Sequence, residues 1–442
     1  MDAHLEDFVS FLRFPSISTD PTNRADVAAC AEWLCAKLNA IGLTAVTHPT
    51  AGHPIVVAKN QHQIGRTTVL IYGHYDVQPV DPIELWTSPP FEPRIEDDII
   101  YARGATDNKG QILAHVLGIA DQIAADGELP VNLIFVIEGE EEIGSENLQL
   151  FLKENTESLR CDVIAISDTG MVARNVPTFT YGLRGVASLQ IDLIGPAMDL
   201  HSGVFGGAVA NPITMLAKIL ATLHDANGRI AIEGFYDGVP ELQPWERDAW
   251  AKLPIGDAEL KNLSGVPQLF GEPGYSAIER TWARPTAEIN GIGGGYQGEG
   301  TKTVIPSKAF AKLTFRLVPG QEPARVLEKV KAHLKRVCAP SVRMELSDGH
   351  TGAPFLCDPH SRWGKAAQRA LRNTFGGAEP ALIREGGSIP IVTTFQQTLN
   401  AEVLLLGLAL PDCRVHSPNE NFHLENFRTG IRLNKALIAE LR

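Results

Sequence analysis

Five polar clusters carry the side chains in this chain that could do chemistry. Gly73-His74-Tyr75-Asp76, Glu138-Gly139-Glu140-Glu141-Glu142 and Asp168 each follow directly on an apolar run. His416 lies in the loop after a further apolar run, and Asp107 stands just ahead of a helical stretch. Two imidazoles with three or four carboxylates, and no thiolate, form a donor set for a divalent metal: zinc first, with manganese or cobalt as substitutes. Carboxylates crowded into a poorly solvated place repel one another, and a cation removes that cost. The donors outnumber what one open tetrahedral zinc needs and suit two cations about 3.5–4 Å apart sharing a carboxylate. Each cluster alone has a plainer reading. His74 could be a loop histidine, Asp107 a helix N-cap, the glutamate run a solvated helix start, Asp168 a turn residue and His416 part of a surface loop. The plainer readings weaken together, because all five would have to fall beside the same kind of strand exit.

The elements that would position these groups can be read from periodicity. Helical stretches at about 3–13 and 24–41 precede short strands near 43–47 and 54–59. The run Thr68-Val69-Leu70-Ile71-Tyr72 is a strand, helix 108–126 follows, and Val131 to Ile137 and Val163 to Ile166 are further apolar strands about helix 145–154. Continuous apolar strands separated by helices predict a mostly parallel sheet covered on both faces. Ligands of such sheets bind at the edge where strands end. From about 184 the order changes to strand 186–194, helix 211–226, strands 286–290 and 308–317, helix 322–337 and strand 341–347. That β-α-β-β-α-β order predicts a ferredoxin-like sandwich. The stretch 228–285 inside it is too long for a plain connection and is expected to carry function or meet a partner. Helix 361–375, strands 381–384 and 402–406 and a last helix near 424–441 restore the first pattern. The expected organisation is α/β: a catalytic domain from 1–183 and 357–442, with a ferredoxin-like α+β lid or dimerisation domain, 184–356, inserted in it.

Composition narrows the function. At 442 residues the chain exceeds a single core. Its net charge of -13, from 52 acidic and 39 basic residues, argues against nucleic acid or an anionic membrane as partner. No run approaches the roughly 20 apolar residues of a membrane span. The start, Met1-Asp2-Ala3-His4-Leu5-Glu6-Asp7, is acidic where a signal peptide is basic, so a cytoplasmic location is expected. Six scattered cysteines offer neither a disulfide framework nor a thiolate zinc site.

The clusters also carry a resemblance. Gly73-His74-Tyr75-Asp76-Val77-Gln78-Pro79, Arg103-Gly104-Ala105-Thr106-Asp107-Asn108-Lys109-Gly110 and Glu138-Gly139-Glu140-Glu141-Glu142-Ile143-Gly144-Ser145 resemble three signatures of one family. It is the dinuclear zinc metallopeptidases and aminoacylases of the carnosinase, glutamate carboxypeptidase and succinyl-diaminopimelate desuccinylase type. The likeness continues in Asp199-Leu200-His201-Ser202-Gly203, Phe315-Arg316-Leu317-Val318-Pro319, Arg384-Glu385-Gly386-Gly387-Ser388-Ile389-Pro390 and His416-Ser417-Pro418-Asn419-Glu420, in order along nearly the whole chain. It implies that His74 and Asp168 bind one zinc and Glu142 and His416 the other, with Asp107 bridging. It further implies that Asp76 orients His74 and that Glu141 is the general base acting on the attacking water. The family usually has a non-proline cis peptide after the bridging aspartate, here Asp107-Asn108.

Aspartate at 168 resembles the aminopeptidase and dipeptidase branches. The Asp-Leu-His-Ser-Gly and Glu-Gly-Gly-Ser-Ile-Pro strings resemble the carnosinase-like dipeptidases. The resemblance therefore implies hydrolysis of dipeptides or small peptide-like substrates. His201 would stabilise the oxyanion, reaching the metals by domain closure or from the second subunit of a homodimer joined through the inserted domain. Arg316 would hold the substrate carboxylate, with Thr303, Arg384 and Ser388 as further pocket residues. Rival readings are an N-acyl amino acid deacylase or desuccinylase of the same fold, and a metal-binding scaffold without catalysis.

Overall fold

In the computed structural model, which describes residues 3–442, the apolar runs become neighbouring strands of one sheet. Its path runs Thr44–His48, Ile55–Lys59, Asn132–Glu138, Thr68–His74, Val163–Ile166, Glu402–Leu405 and Thr178–Leu183. The four strands from Asn132–Glu138 to Glu402–Leu405 are mutually parallel, and their flanking neighbours antiparallel. All seven residues of Asn132–Glu138 and all four of Val163–Ile166 are buried, as expected of strands covered on both faces. Register pairs His74 with Glu138 and Tyr72 with Ile166, so the four parallel strands end on one edge.

The chain divides into two units. The first comprises residues up to Tyr181, Cys357–Ile383 and Thr394–Arg442, and contains this sheet's parallel core. The second comprises Gly182–Leu356 and Arg384–Thr393. The short return of 384–393 to the second unit departs from the expectation that 357–442 belongs wholly to the first. The reason is chemical: Arg384 forms a buried ion pair with Glu246, and Ser388 bonds to both Arg184 and Arg316.

The second unit is a four-stranded antiparallel sheet in the order Thr286–Gly294, Lys308–Leu317, Gly185–Ile194, Arg343–Gly352. Lys308–Leu317 alternates buried and less buried residues along its length, the signature of a sheet with one covered face. Ala309, Ala311, Leu313 and Phe315 point into a core with Leu216 and Ile219 of helix Pro212–Leu220 and Val330 and Leu334 of helix Pro323–Val337. The first of these helices stops six residues earlier than its predicted end at 226. Beyond it Thr222 bonds back to the Ile219 carbonyl, and Asp225 accepts from the amides of Asn227 and Arg229, forming a turn. The stretch 228–285 contains three short helices, Pro244–Trp250, Asp257–Ser264 and Ala277–Ala283.

Candidate metal centre

Four side chains of the centre are delivered by strand exits or helix starts of the first unit, and His416 by the loop between strands Glu402–Leu405 and Asn421–His423. His74 is the last residue of Thr68–His74 and is fully buried. Its Nδ1 faces the Asp76 carbonyl at 3.0 Å and the Asp76 carboxylate at 3.3 Å, which leaves Nε2 to point outward. That nitrogen lies 3.1 Å from one Asp107 oxygen and 3.8 Å from Asp168. The other Asp107 oxygen lies 2.9 Å from His416 Nε2, which in turn is 3.4 Å from Glu142. Asp107 thus stands between two histidines, one on each oxygen. Ligand atoms of His74, Asp107 and Asp168 form one group within 4.8 Å of one another, and those of Asp107, Glu142 and His416 a second.

Asp107 is not the cap of the helix that follows. The helix is Lys109–Asp126 and its N-cap is Asn108, so the Asp107 carboxylate is left for the centre. The Asp107-Asn108 peptide is cis. Asn108 reaches back to donate to the Ser167 carbonyl and to Asp168 at 2.8 Å, tying the two aspartates together. The glutamate run sorts by direction rather than lying solvated. Glu140 turns inward to accept from the His53 and Asn147 amides. Asp76, fully buried, accepts the Glu141 and Glu142 amides at 3.2 and 3.1 Å and so fixes the one-turn helix Glu141–Ile143. Glu142 Oε2 also accepts from Gln78 at 2.7 Å.

Charge in the centre is unevenly held. Burial alone would lower the His74 imidazole, but Asp107, Asp168 and Asp76 outweigh it and raise it well above its ordinary value. Hydrogen bonds to Asp107 and Glu142 raise His416 to about 10. Burial pushes Asp107 up, yet the two histidines hold it below the usual carboxylate range. Glu141, Glu142 and Asp168 are raised, each chiefly by burial. Among the described residues, Glu142 Oε1 is buried without a hydrogen-bond partner. A donor set of imidazole and carboxylate, with an orphaned buried oxygen and several carboxylates that resist ionisation, fits divalent cations.

Sequence reasoning assigned no role to several residues that shape this centre. Glu420, fully buried, accepts from the amides of Gly104, Thr106 and Asp107 and from Arg103, all between 2.8 and 3.0 Å. It clasps the loop that carries Asp107. Glu138 accepts the Tyr72 and Ser145 hydroxyls beneath the centre, and burial raises it to about 8. The only sequence signal for Glu420 was its place in the His416 motif, and a clasp made to backbone amides leaves no spacing to read.

The remaining predicted residues belong to the second unit. His201 pairs with Val304 in a two-residue bridge of strands, and the Thr303 carbonyl accepts from Ser202, so His201 and Thr303 are neighbours. His201 is exposed, and its Nδ1 accepts from the Gly203 amide, so the neutral ring carries its hydrogen on Nε2. Arg316 donates to Ser388 at 2.9 Å. Arg384 is placed differently: its guanidinium is buried in an ion pair with Glu246.

Comparison with known proteins accords with this geometry. Residues 70–440 match peptidase family M20/M25/M40. The Cys-Gly metallodipeptidase of Schizosaccharomyces pombe is 34% identical over 100% of this chain and 97% of its own length. The human Beta-Ala-His dipeptidase is 34% identical over 88% of this chain and 77% of its own. The crystal structure of an M20 family metallo-carboxypeptidase from Sulfolobus solfataricus superposes with a TM-score of 0.87, at 35% identity, over 100% of this chain and 99% of that one. The chain belongs to peptidase family M20/M25/M40 and is a metallopeptidase.

Proposed function

We propose that the chain hydrolyses the amide bond of dipeptides or similarly small peptide-like substrates, at a centre that holds two divalent cations, zinc before manganese or cobalt. The observation that carries this is the placement of Asp107, with one carboxylate oxygen facing each of two histidines and a further carboxylate beside each pair. His74 and Asp168 would hold one cation, Glu142 and His416 the other, and Asp107 both. The chemistry such cations supply is polarisation of the scissile carbonyl and acidification of water. Glu141, whose carboxyl burial raises, takes a proton from the attacking water and returns it to the leaving amine. Asp76 holds the His74 ring and the Glu141–Glu142 backbone in one arrangement. His201 Nε2–H serves as donor to the oxyanion, and Arg316, set by Ser388 and with Thr303 beside His201, takes the substrate's terminal carboxylate. A homodimer through the second unit and a cytoplasmic location complete this reading; six free cysteines support the latter.

The relatives' names favour dipeptides, and the metallo-carboxypeptidase supports a second reading in which the last residue of a longer peptide is removed. A panel of dipeptides, tripeptides, N-acetyl and N-succinyl amino acids on metal-loaded protein separates these. Chelation should abolish activity and added zinc restore it. Glu141→Gln should keep its metal content yet lose about 10²–10⁴-fold in turnover. Near-normal turnover in that variant would remove Glu141 from the mechanism, and activity confined to N-acyl amino acids would replace the peptidase reading with a deacylase.

A further inference from the structure

The inserted stretch helps line an open cavity of about 410 Å³ within the second unit, between Tyr236 and Phe270 on one side and Glu288, Thr314 and Arg316 of the sheet on the other. Four arginines and two glutamates line it, a cationic surplus inside a chain whose net charge is -13. Only Arg284 of the four is hydrogen-bonded to a carboxylate among the described residues. Arg284 is bound by both Glu272 oxygens, at 2.8 and 2.9 Å, and Arg280 by the Glu272 and Phe270 carbonyls. Arg184 and Arg316 are held together by one set of partners. Arg316 donates to the Ser388 hydroxyl, that hydroxyl donates to the Arg184 carbonyl, and Arg184 Nε donates to the Gly386 carbonyl at 3.1 Å.

One loop, Gly386 to Ser388, therefore orients both guanidiniums through partners that carry no charge. Among the described residues, Arg184 Nη1 is buried with no hydrogen-bond partner. Burial, and then the Arg316 charge, lower the Arg184 guanidinium to about 10, while Glu288 acts in the opposite sense. Adjacent guanidiniums repel, and a buried charge without a counter-ion is unfavourable. Both costs fall when anions occupy the forks.

We infer that Arg184 and Arg316 together form a site for a ligand with two carboxylates, so that peptides ending in an acidic residue are preferred. The terminal carboxylate goes to Arg316 and the side-chain carboxylate to Arg184. This rests on the proposed role of Arg316 toward the terminal carboxylate. Arg184 is then a specificity-determining residue, and the inserted stretch supplies the far wall of its pocket.

Glutarate, which has the two carboxylates of glutamate without the amine, and butyrate, which lacks one of them, are the probes for calorimetric titration of the full-length protein. Glutarate should bind about tenfold or more tightly than butyrate, the margin of one charge-assisted fork. Arg184→Gln should remove that margin and leave butyrate binding little changed, Arg184→Lys should keep part of it, and Arg316→Gln should weaken both probes. Equal binding of the two probes by the parent protein overturns the inference without recourse to any variant, and a margin that survives in Arg184→Gln does so as well. On metal-loaded enzyme, kcat/KM for Ala-Glu over Ala-Gln should follow the same order. A calorimetric margin with neither peptide cleaved upholds the cavity and counts against the hydrolase reading. Equal cleavage of both peptides with equal probe binding upholds the hydrolase and overturns the cavity.

Discussion

At the scale of single residues, the five side chains gathered in the centre were legible because four of them follow apolar runs that had to be strands and the fifth, Asp107, opens a helical stretch. The strand's end fixes where His74, Glu142 and Asp168 emerge, and the helix start fixes Asp107. Residues whose work is done through backbone amides or neutral hydrogen bonds gave no comparable signal; Asn108, Glu420 and Arg184 are of this kind. His115 is another, buried in helix Lys109–Asp126 with Nε2 2.9 Å from the Ser167 hydroxyl. Burial lowers its imidazole to about 3, whereas an unfolded chain's imidazole titrates near 6.5. Between those values the unfolded chain binds the extra proton, so His115 favours folding above about pH 6.5 and this contribution is lost as pH falls toward about 3. His115→Gln should therefore flatten the decline of the unfolding free energy from urea melts across that window, by about 1.4 kcal/mol per pH unit at most. A variant as acid-sensitive as its parent would dismiss His115 as a source of the decline.

At the scale of elements, the parallel strands were read closely because their burial is continuous, and the inserted sheet because its burial alternates. The helix Pro390–Leu399 went unread, since it follows the Gly386-Gly387 turn and has few charged residues to mark an outer face. Strand Thr286–Gly294 extends four residues past its predicted end, because Gly291, Gly293 and Gly294 conceal its alternation. The element with most leverage is the loop from Arg103 to Asp107, clasped by Glu420 from the far end of the chain. Removing one partner of a buried ion pair typically costs about 3–5 kcal/mol, because the other charge is left uncompensated. Glu420→Ala should lose stability on that order and bind metal more weakly, since the Asp107 amide loses its acceptor. Adding Arg103→Met should recover part of the stability but not the metal affinity. Urea melts and competitive metal titration would check both, and unchanged metal affinity in Glu420→Ala would reduce the clasp to a packing role.

At the scale of the whole molecule, composition excluded partners better than it named them. Net acidity argues against nucleic acid, and among the described residues no helix is long and apolar enough to cross a membrane. The proposed homodimer has its own test. His201→Ala and Glu141→Ala, each inactive or nearly so alone, should regain part of the parent activity when mixed if each centre receives His201 from the other subunit. No regain in confirmed mixed dimers would restrict His201 to its own chain. The chain's linear order has another bearing. His74, Asp107 and Asp168 precede the second unit's residues in the sequence, whereas His416, 309 residues beyond Asp107, follows them. Strand Glu402–Leu405, which pairs with Val163–Ile166, and Glu420, which clasps the Asp107 loop, belong to that later stretch, so neither half of the centre is complete on the earlier segment alone. Synthesis stopped within the second unit therefore leaves a fragment without the centre, and such a fragment has no means of cutting its neighbours.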